Sequence, residues 1–413
     1  MKAKMKWILG LSVAVLAACG NGETSDQGNG ETGNSDGKIQ LRFSSWDEVE
    51  DLDNQQAMVD RFNESQDEIE VTLEGLGEEY DRVLATGMGA GDAPDIMYMW
   101  NYPQYYEGLE PLDSYIEAEG ADFKENVYPA LWNNNQYDGT IYGMPIGYTS
   151  HALYFNKDLF DEVGIDYPTS DWTMSQLRDA ANEIAGLGDD TYGFVFPGKP
   201  DVYTFESYLW SNGTAYLNDE GTLDGYVNSP ESIEAFTFFQ DMVKEESAYP
   251  SEGYGTEEMA SGKAGMYIYG AWGIERMLEA DINLGIVEIP SFDGKGQSAS
   301  VTNSSGLSIS ADSEHKDAAW EFIKYWTSEE ANIERIDYEL PVLQSVVESE
   351  NLEEDELRQP FYSMLERSGD FTHSSLKVET WSRTEEELEY VYEQIFNPSV
   401  LADPEEILNS IVE

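Results

Sequence analysis

The fold is decided by a stretch near the start of the chain: Ile39-Gln-Leu-Arg-Phe43, then Asn54 to Glu64, then Ile69-Glu-Val-Thr-Leu73. The first and last segments are short and apolar, which is typical of strands, and the middle segment carries its apolar residues at helical spacing. Strand, helix and strand in close succession form a βαβ unit, which predicts a parallel sheet. Asp95-Ile-Met-Tyr-Met99 predicts a third strand.

The same alternation continues downstream. A capping-box pattern and a Ser-Pro pair each precede apolar residues at helical spacing, and apolar runs return between the helical segments. These signals predict helices after Thr173-Met-Ser-Gln176, after Ser229-Pro230, from Asp312 and over Glu385 to Ile395, and strands over Ala264 to Tyr269 and Leu284 to Ile289. An α/β architecture follows, and 413 residues favour two domains or lobes over one core.

The charge balance is extreme, with 22 Lys and Arg residues against 82 Asp and Glu residues and a net charge of −60. Such a surface repels nucleic acid phosphates and anionic lipid headgroups, so a nucleic-acid partner is excluded. Many hydrated carboxylates suit a protein exposed to high salt, where repulsion between charges is screened over short distances. We interpret the acidic surface as an adaptation to a habitat that is either salty or alkaline.

Cysteine and histidine are too sparse for several kinds of site. The single cysteine, Cys19, excludes an internal disulfide and a multi-thiolate zinc site, and the three histidines lie far apart in sequence. Gly-rich phosphate loops, HExxH and Gly-x-Ser-x-Gly motifs are missing from the sequence. We therefore expect no metal, no cofactor, no catalytic residue and no enzymatic activity.

The N-terminus is typical of a secretory signal. Residues 1–19 combine three early lysines with an apolar stretch too short for an ordinary membrane span, and end in Leu16-Ala-Ala-Cys19. That ending resembles a bacterial lipobox, which implies cleavage before Cys19 and its lipidation, with more than one acyl chain giving a stable anchor. Residues 20–38 hold no aromatic or aliphatic residue and predict a flexible linker. The folded part is then expected outside the cytoplasm, anchored to the outer face of the cell membrane.

Several motifs resemble one family in order and spacing. They are Ala93-Pro-Asp-Ile96, Asp138-Gly-Thr-Ile-Tyr-Gly-Met-Pro145, Ala152-Leu-Tyr-Phe-Asn-Lys-Asp-Leu-Phe160, Met259-Ala-Ser-Gly-Lys-Ala-Gly-Met-Tyr267, Gly270-Ala-Trp-Gly273 and Ala318-Ala-Trp-Glu-Phe-Ile323. Together they resemble the bacterial extracellular solute-binding proteins of family 1, which include the maltose-binding protein.

The resemblance implies a two-lobed periplasmic-binding-protein-like fold, in which each lobe is a mainly parallel sheet flanked by helices. By position, the hinge segments that cross between the lobes fall near residues 146–152, 303–307 and 345–352. Lobe 1 would then comprise 39–148 plus 304–350, and lobe 2 would comprise 149–303 plus 351–413. A ligand sits in the cleft and the lobes close over it.

The implied function is the solute-binding subunit of an ABC importer. Such a subunit binds a carbohydrate and delivers it, unaltered, to permease subunits that work with a cytoplasmic ATPase. We expect the protein itself to be a monomer.

A sugar has apolar faces and a rim of hydroxyls, so its site needs flat rings and fixed polar groups. Trp46-Asp47 and Trp100-Asn101 follow predicted strands, at the end where α/β sheets bind ligands, while Tyr148 lies on the first crossing and Trp272 in a turn of small residues. The resemblance supports Trp100, Trp272 and Trp381 as stacking positions. It also implies ligand contacts from Asp201 and Tyr203, and the position of Asn303 at the second crossing makes it a further candidate.

Two alternatives remain open. The same fold could bind a cationic osmolyte or a polyamine, because rings and acids together suit a cation. A secreted glycoside hydrolase would share the rings and carboxylates, and would need a positioned pair of acids.

Overall fold

The computed structural model describes residues 37–47, 49–188, 190–336, 339–378 and 380–412. The predicted signal segment 1–19, its Cys19 and the predicted linker as far as residue 36 lie outside the described residues. Within the described residues, no helix is both long enough and apolar enough to cross a membrane.

Strands and helices alternate along the chain, as the sequence predicts. The strands are β1 (Ile39–Ser45), β2 (Ile69–Gly75), β3 (Ile96–Met99), β4 (Gln136–Tyr137), β5 (Thr140–Ile141), β6 (Met144–Asn156), β7 (Tyr192–Pro197), β8 (Ala248–Ser251), β9 (Ala264–Gly270), β10 (Leu284–Val287) and β11 (Thr302–Ile309). The helices are α1 (Val49–Ser65), α2 (Tyr80–Ala90), α3 (Tyr102–Tyr105), α4 (Asp113–Glu119), α5 (Ala121–Glu125), α6 (Pro129–Asn134), α7 (Lys157–Val163), α8 (Met174–Ala185), α9 (Val202–Ser211), α10 (Pro230–Lys244), α11 (Thr256–Ala260), α12 (Gly273–Glu279), α13 (Lys316–Trp326), α14 (Glu329–Glu334), α15 (Gln344–Ser349), α16 (Gln359–Arg367), α17 (Trp381–Phe396) and α18 (Pro404–Ser410).

One long strand, β6, joins two sheets. Its first half pairs with β11 in the order β2-β1-β3-β11-β6, where β1 is parallel to both β2 and β3. Its second half, from His151 onward, pairs antiparallel with β9 and β10, and β9 leads on to the parallel strands β7 and β8. The pairing therefore changes from one sheet to the other between Ser150 and His151, inside the first predicted crossing.

Every residue of β6 is buried, and its alternate side chains serve different cores. Ala152 and Tyr154 pack in one apolar cluster, whereas Leu153 and Phe155 pack in another. This period of two is what a pleated strand covered on both faces requires. The predicted α/β fold, with two lobes of mainly parallel sheet flanked by helices, is confirmed.

Local signals in the sequence also hold. Thr173 and Gln176 form the capping box at the start of α8, and the Ser229 side chain accepts a hydrogen bond from the Ser232 amide ahead of α10. These bonds satisfy amide groups that the first helical turn leaves unpaired.

Several predicted boundaries need correction. The helix predicted from Asp312 begins at Lys316, because the Ser310 and Ser313 hydroxyls accept from the Asp312 and His315 amides and hold a turn instead. The helices predicted over 54–64 and 385–395 begin earlier, at Val49 and Trp381, and α18 follows the latter, so Trp381 opens a helix that is not the last one. The strand predicted to end at Ile289 ends at Val287, and the third crossing is the short helix α15, followed by a 3₁₀ turn.

Candidate functional site

A cavity of about 1310 Å³ brings together residues from both sheets and from the segments that join them. Nine of the ten ligand-binding residues predicted from the sequence line it: Trp46, Asp47, Trp100, Asn101, Tyr148, Tyr203, Trp272, Asn303 and Trp381. Asp201 lies outside the lining.

Three tryptophans, which we name the strand-end rings, follow the carboxyl ends of strands. Trp46 comes directly after β1, Trp100 directly after β3, and Trp272 two residues after β9. Trp100 and Trp272 are 45% and 47% exposed, while Trp46 packs edge-on against Tyr80 and Tyr98 with centroids 5.5 and 4.6 Å apart. Half-exposed indoles in a cavity leave flat apolar area for a ligand to cover.

Two further rings, the helix-borne rings Tyr203 and Trp381, stand at the starts of α9 and α17. Trp381 is 8% exposed, and the Tyr203 hydroxyl donates to the Thr302 carbonyl oxygen at 3.3 Å. Both rings contact the buried imidazole of His373, at centroid distances of 3.9 Å for Tyr203 and 5.5 Å for Trp381. They therefore belong to the packed interior as well as to the cavity.

The paired strands β6 and β11 contribute the third part of the lining. Asn303 pairs with Thr149 and Ser304 with Tyr148 across the two strands. The Tyr148 ring packs between Tyr128 and Tyr362, each centroid 6.3 Å away. Burial holds the pKa of the Tyr148 hydroxyl well above its usual range, so this group stays neutral and can both donate and accept.

Polar side chains at the strand ends are held by local bonds. Asp47 accepts from the Ser45 hydroxyl at 3.3 Å and from the Gln55 side-chain amide, while the Asn101 amide donates to Gln104 at 2.9 Å. These bonds fix where the carboxylate and amide groups stand before a ligand arrives, which reduces the entropy cost of binding.

A buried guanidinium ties a lining acid to the crossing strand. Arg335, 3% exposed, donates to the carbonyl oxygens of Ile146 at 2.8 Å and Trp326 at 2.9 Å, and its Nε lies 3.0 Å from Glu339. The Glu339 carboxylate lies so close to Gly147 that a Cβ there would come within 2.7 Å of it. Glycine at 147 thus makes room for this acid beside β6.

Among the described lining residues, acids outnumber bases. The lining contains five carboxylates and one guanidinium. The guanidinium is that of Arg358, and the carboxylates are those of Asp47, Asp81, Glu275, Glu339 and Glu385. Arg358 is itself paired, with Asp355 at 2.6 Å and Glu275 at 3.7 Å. Partial burial raises the pKa of Asp81 and of Glu385, the latter against the opposing effect of a Trp381 hydrogen bond. The lining is therefore rich in acceptors and poor in free positive charge.

Asp201 has a structural task that the sequence reasoning did not foresee. Its side chain caps α9 by accepting from the Thr204 amide at 3.1 Å, and burial raises the pKa of its carboxyl. Asp201 therefore holds the start of the helix that carries Tyr203, from a position outside the cavity lining.

The sequence reasoning also missed several lining residues. Glu385 lies one helical turn after Trp381, so both side chains are on the same face of the helix. With Trp381 predicted to line the cavity, helical spacing would also have predicted Glu385 there. Glu339, Arg358 and Ser375 carried no such local signal, because they enter the cavity through folding of distant segments. The described residues hold no group of three or more His, Cys, Asp or Glu side chains placed to share a metal ion.

These features define a binding cavity between two α/β lobes, and residues 46–333 match the family model described as bacterial extracellular solute-binding protein. That match covers more than half of the chain, so the chain belongs to this family. The resemblance stated from the motifs is confirmed. The expectation of a binding protein and not an enzyme is confirmed by the family as well.

Individual relatives support the same assignment. A Brucella abortus protein described only as a binding protein is 31% identical over 257 residues, which are 59% of this chain and 60% of the relative. The maltotriose-binding protein of Pyrococcus abyssi is 25% identical over 288 residues, covering 67% of this chain and 60% of the relative. The match thus spans about 60% of the length of these curated relatives.

The fold is shared with solved structures over nearly its whole length. The sugar-binding protein MalE of Xanthomonas citri superposes with a TM-score of 0.78 at 21% identity, covering 91% of this chain and 95% of that one. At this level of identity the likeness concerns the fold.

Proposed function

We propose that this protein is the extracytoplasmic solute-binding subunit of an ABC importer, and that it binds an oligosaccharide in the cavity and delivers it to the membrane permease. The observation that carries the proposal is the pair of half-exposed indoles, Trp100 and Trp272, in one acceptor-rich cavity. The flat faces would cover the apolar faces of sugar rings, while carboxylates and amides accept from the hydroxyls. The maltotriose-binding relative supports this ligand class.

The size of the cavity favours more than one sugar unit. Cavities for drug-sized ligands measure about 300–1,000 Å³, and this one is about 1310 Å³. The rings that line the cavity come from three parts of the fold: the ends of strands, the starts of two helices, and the strands that cross between the sheets. A chain of sugars would use several of these rings at once, whereas a single hexose would leave most of them uncovered.

The charge of the lining favours a neutral ligand over a phosphorylated one. A phosphate group needs guanidinium or ammonium partners, and the Arg358 guanidinium is already paired with two acids. Carboxylates facing a phosphate would repel it. Glycerol 3-phosphate is therefore expected not to bind.

A ligand panel tests the proposal. Purified protein is titrated in a calorimeter, and melted, with maltose, maltotriose, longer and cyclic glucans, glycerol 3-phosphate, glycine betaine and spermidine. We expect saturable binding and a raised melting temperature with at least one neutral oligosaccharide, since a ligand at a hundred times its Kd stabilises by about 2.7 kcal/mol. A flat response to every sugar contradicts the proposal.

The second candidate is a cationic ligand, favoured by the five lining carboxylates and the rings beside them. If betaine or spermidine raises the melting temperature while sugars leave it unchanged, the ligand class is cationic. Release of reducing ends from the bound oligosaccharide would instead support a hydrolase, because a receptor returns its ligand unaltered.

The anchor, the lobes and the partners complete the proposal. Cys19 carries the lipid that holds the protein at the outer face of the membrane, and residues 39–148 plus 304–350 move as one lobe against 149–303 plus 351–413. The protein acts as a monomer that meets permease subunits coupled to a cytoplasmic ATPase. Mass spectrometry of the N-terminal peptide tests the first point: we expect an acylated Cys19, and release of the Cys19→Ala variant from membranes.

A further inference from the structure

Two buried titratable residues, Glu206 and His373, lie directly behind the helix-borne rings. Glu206 on α9 is fully buried and His373 is 2% exposed, with His373 Nε2 3.1 Å from Glu206 Oε2. A carboxylate in such a place is costly unless it is paired and fully hydrogen-bonded. The Glu206 carboxylate accepts from the amides of Ser374 at 2.9 Å and Tyr216 at 3.2 Å, and from the Ser374 hydroxyl.

The contacts of His373 fix its tautomer. The Ser375 backbone amide donates to Nδ1 at 3.0 Å, so this nitrogen carries the lone pair. The proton of the neutral ring is then on Nε2, which lies 3.1 Å from Glu206 Oε2. The hydrogen bond at Nδ1 and the carboxylate beside Nε2 together favour one orientation of the ring.

That orientation matters because the imidazole touches three residues of the cavity lining. Its face lies 3.9 Å from the Tyr203 ring with 33° between the planes, and the Trp381 ring meets it at 77° and 5.5 Å. The Ser375 hydroxyl lies 2.7 Å from Nδ1. Tyr203, Trp381 and Ser375 all line the cavity.

We propose that His373, oriented by Glu206, is a positioning residue that sets the helix-borne rings and Ser375 for ligand binding. The proposal rests on the proposed function of the cavity. His373 itself does not line the cavity, so it acts through its neighbours and not by touching the ligand.

The pair also gives the cavity a dependence on pH. Burial raises the pKa of the Glu206 carboxyl to about 7 and lowers the pKa of His373 to about 3. Above pH 7 the ionised carboxylate accepts all of its donors. Below pH 7 it gains a hydrogen that points at one of these same donors, so the contacts must rearrange. Oligosaccharide affinity is therefore expected to fall as the pH drops below about 7.

Other charged or titratable groups near the pair are few. The charge of Lys377 lowers the pKa of both Glu206 and His373, and Lys377 is itself paired with Asp219 at 2.9 Å. The charges of Asp201 and Glu206 raise the pKa of the Tyr203 and Tyr216 hydroxyls. The charge of Glu385 also raises the pKa of Tyr216. Among the described neighbours, then, the group whose pKa lies near 7 is Glu206.

The effect on stability has a different sign from the effect on binding. The pKa of Glu206 is raised in the folded protein, so its contribution to stability is present at low pH and is lost as the pH rises through 7. His373 has a lowered pKa, so its contribution is present above pH 6.5 and is lost as the pH falls towards 3. Between about pH 6.5 and 4.5 the contributions of Glu206 and His373 to stability oppose each other.

The experiment measures oligosaccharide Kd from pH 5.5 to 8.5 for the wild type and for Glu206→Gln, His373→Gln, Glu385→Gln and His315→Gln. We expect the wild-type Kd to rise up to tenfold per pH unit below about pH 7. Glu206→Gln should bind about tenfold more weakly at pH 8 and show no step, because its amide turns a donor towards His373. Glu385→Gln, in the cavity lining, and His315→Gln, on the surface, should keep the step.

Two results of the binding experiment would overturn the inference: a wild-type Kd that does not change with pH, or a Glu206→Gln variant with the wild-type Kd and step. ¹⁵N NMR of the wild-type histidines needs neither a variant nor a ligand, and we expect a neutral His373 protonated on Nε2 at pH 7.5. A proton on Nδ1 would contradict the inference. If no sugar binds the wild type at any pH, the proposed function fails, while the NMR result still tests the tautomer assigned to His373.

Discussion

The strand-end rings and the helix-borne rings share one cavity but are supported in different ways. Trp100 and Trp272 stand half exposed just after strands of their sheets, and the Trp272 ring lies edge-on to Tyr269 at 5.3 Å and to His151 at 5.7 Å. Tyr203 and Trp381 stand at the starts of helices and contact a buried imidazole that lies 3.1 Å from a buried carboxylate. Trp100 and Trp272 can change with less disturbance of a core than Tyr203 and Trp381, which pack in or against core clusters.

The difference separates binding from stability. Truncating Trp100 or Trp272 removes contact area that a ligand would use, while the sheet beneath remains packed. Truncating a helix-borne ring opens a cavity in the interior and also alters the lining. Four substitutions test this distinction, from the largest expected effect to the smallest.

Trp381→Ala should show the largest effect. The indole is 8% exposed and packs in a core cluster beside His373 and Tyr216, so its removal should lower the free energy of unfolding by about 3–5 kcal/mol. Denaturant unfolding of the ligand-free protein measures this. Trp381→Phe, which keeps a ring, should lose less than half as much. A stability loss below about 1 kcal/mol for the alanine variant would place Trp381 with the strand-end rings.

His151→Gln tests the buried histidine on the other side, which lies edge-on to Trp272 at 5.7 Å. Burial lowers the pKa of His151 from 6.5 to about 4, so the folded protein resists a proton that the unfolded chain accepts. Its contribution to stability is present above pH 6.5 and is lost as the pH falls to about 4, a loss of about 3 kcal/mol.

The measurement is denaturant unfolding at pH 7 and pH 4. The wild type should lose about 3 kcal/mol more than His151→Gln between these pH values. His315→Gln, at an exposed site, should follow the wild type. Equal losses of unfolding free energy in all three proteins would show that His151 is already protonated in the folded protein at pH 4. Burial would then not lower its pKa.

Trp272→Ala should weaken binding and spare stability. Central tryptophans in binding sites contribute about 2 kcal/mol or more, which corresponds to a roughly 30-fold rise in Kd. Because the ring is 47% exposed, the free energy of unfolding should change by less than about 1 kcal/mol. Tyr390→Ala, at a 53% exposed ring away from the cavity lining, is the matched control and should keep the wild-type Kd. An unchanged Kd for Trp272→Ala would remove the main support for the strand-end rings as ligand contacts.

The two groups of rings also differ in how far the sequence predicts them. Trp46 and Trp100 follow apolar segments whose strand character is local, so their place at the sheet edge follows from the order of residues alone. The support behind Trp381 comes from Glu206 and His373, which are 167 residues apart in sequence and far from any shared motif. Likewise, the change of pairing at Ser150 and His151 depends on which distant strands meet β6.

Asp201 is the residue on which sequence and structure differ most, and Asp201→Ser separates the two interpretations with a small effect. As the cap of α9, the carboxylate can be replaced by a hydroxyl, so Asp201→Ser should keep the wild-type stability and Kd, while Asp201→Ala should lose about 1 kcal/mol of unfolding free energy. As a ligand contact, the carboxylate would accept from a sugar hydroxyl, and both variants would then bind at least tenfold more weakly. Because Tyr203 stands two residues into this helix, the alanine variant should also raise Kd slightly through fraying of the first turn, and the serine variant should not. A serine variant that is as stable as the wild type yet binds poorly would move Asp201 into the cavity lining and make the helix-borne side a polar contact surface as well as a packed one.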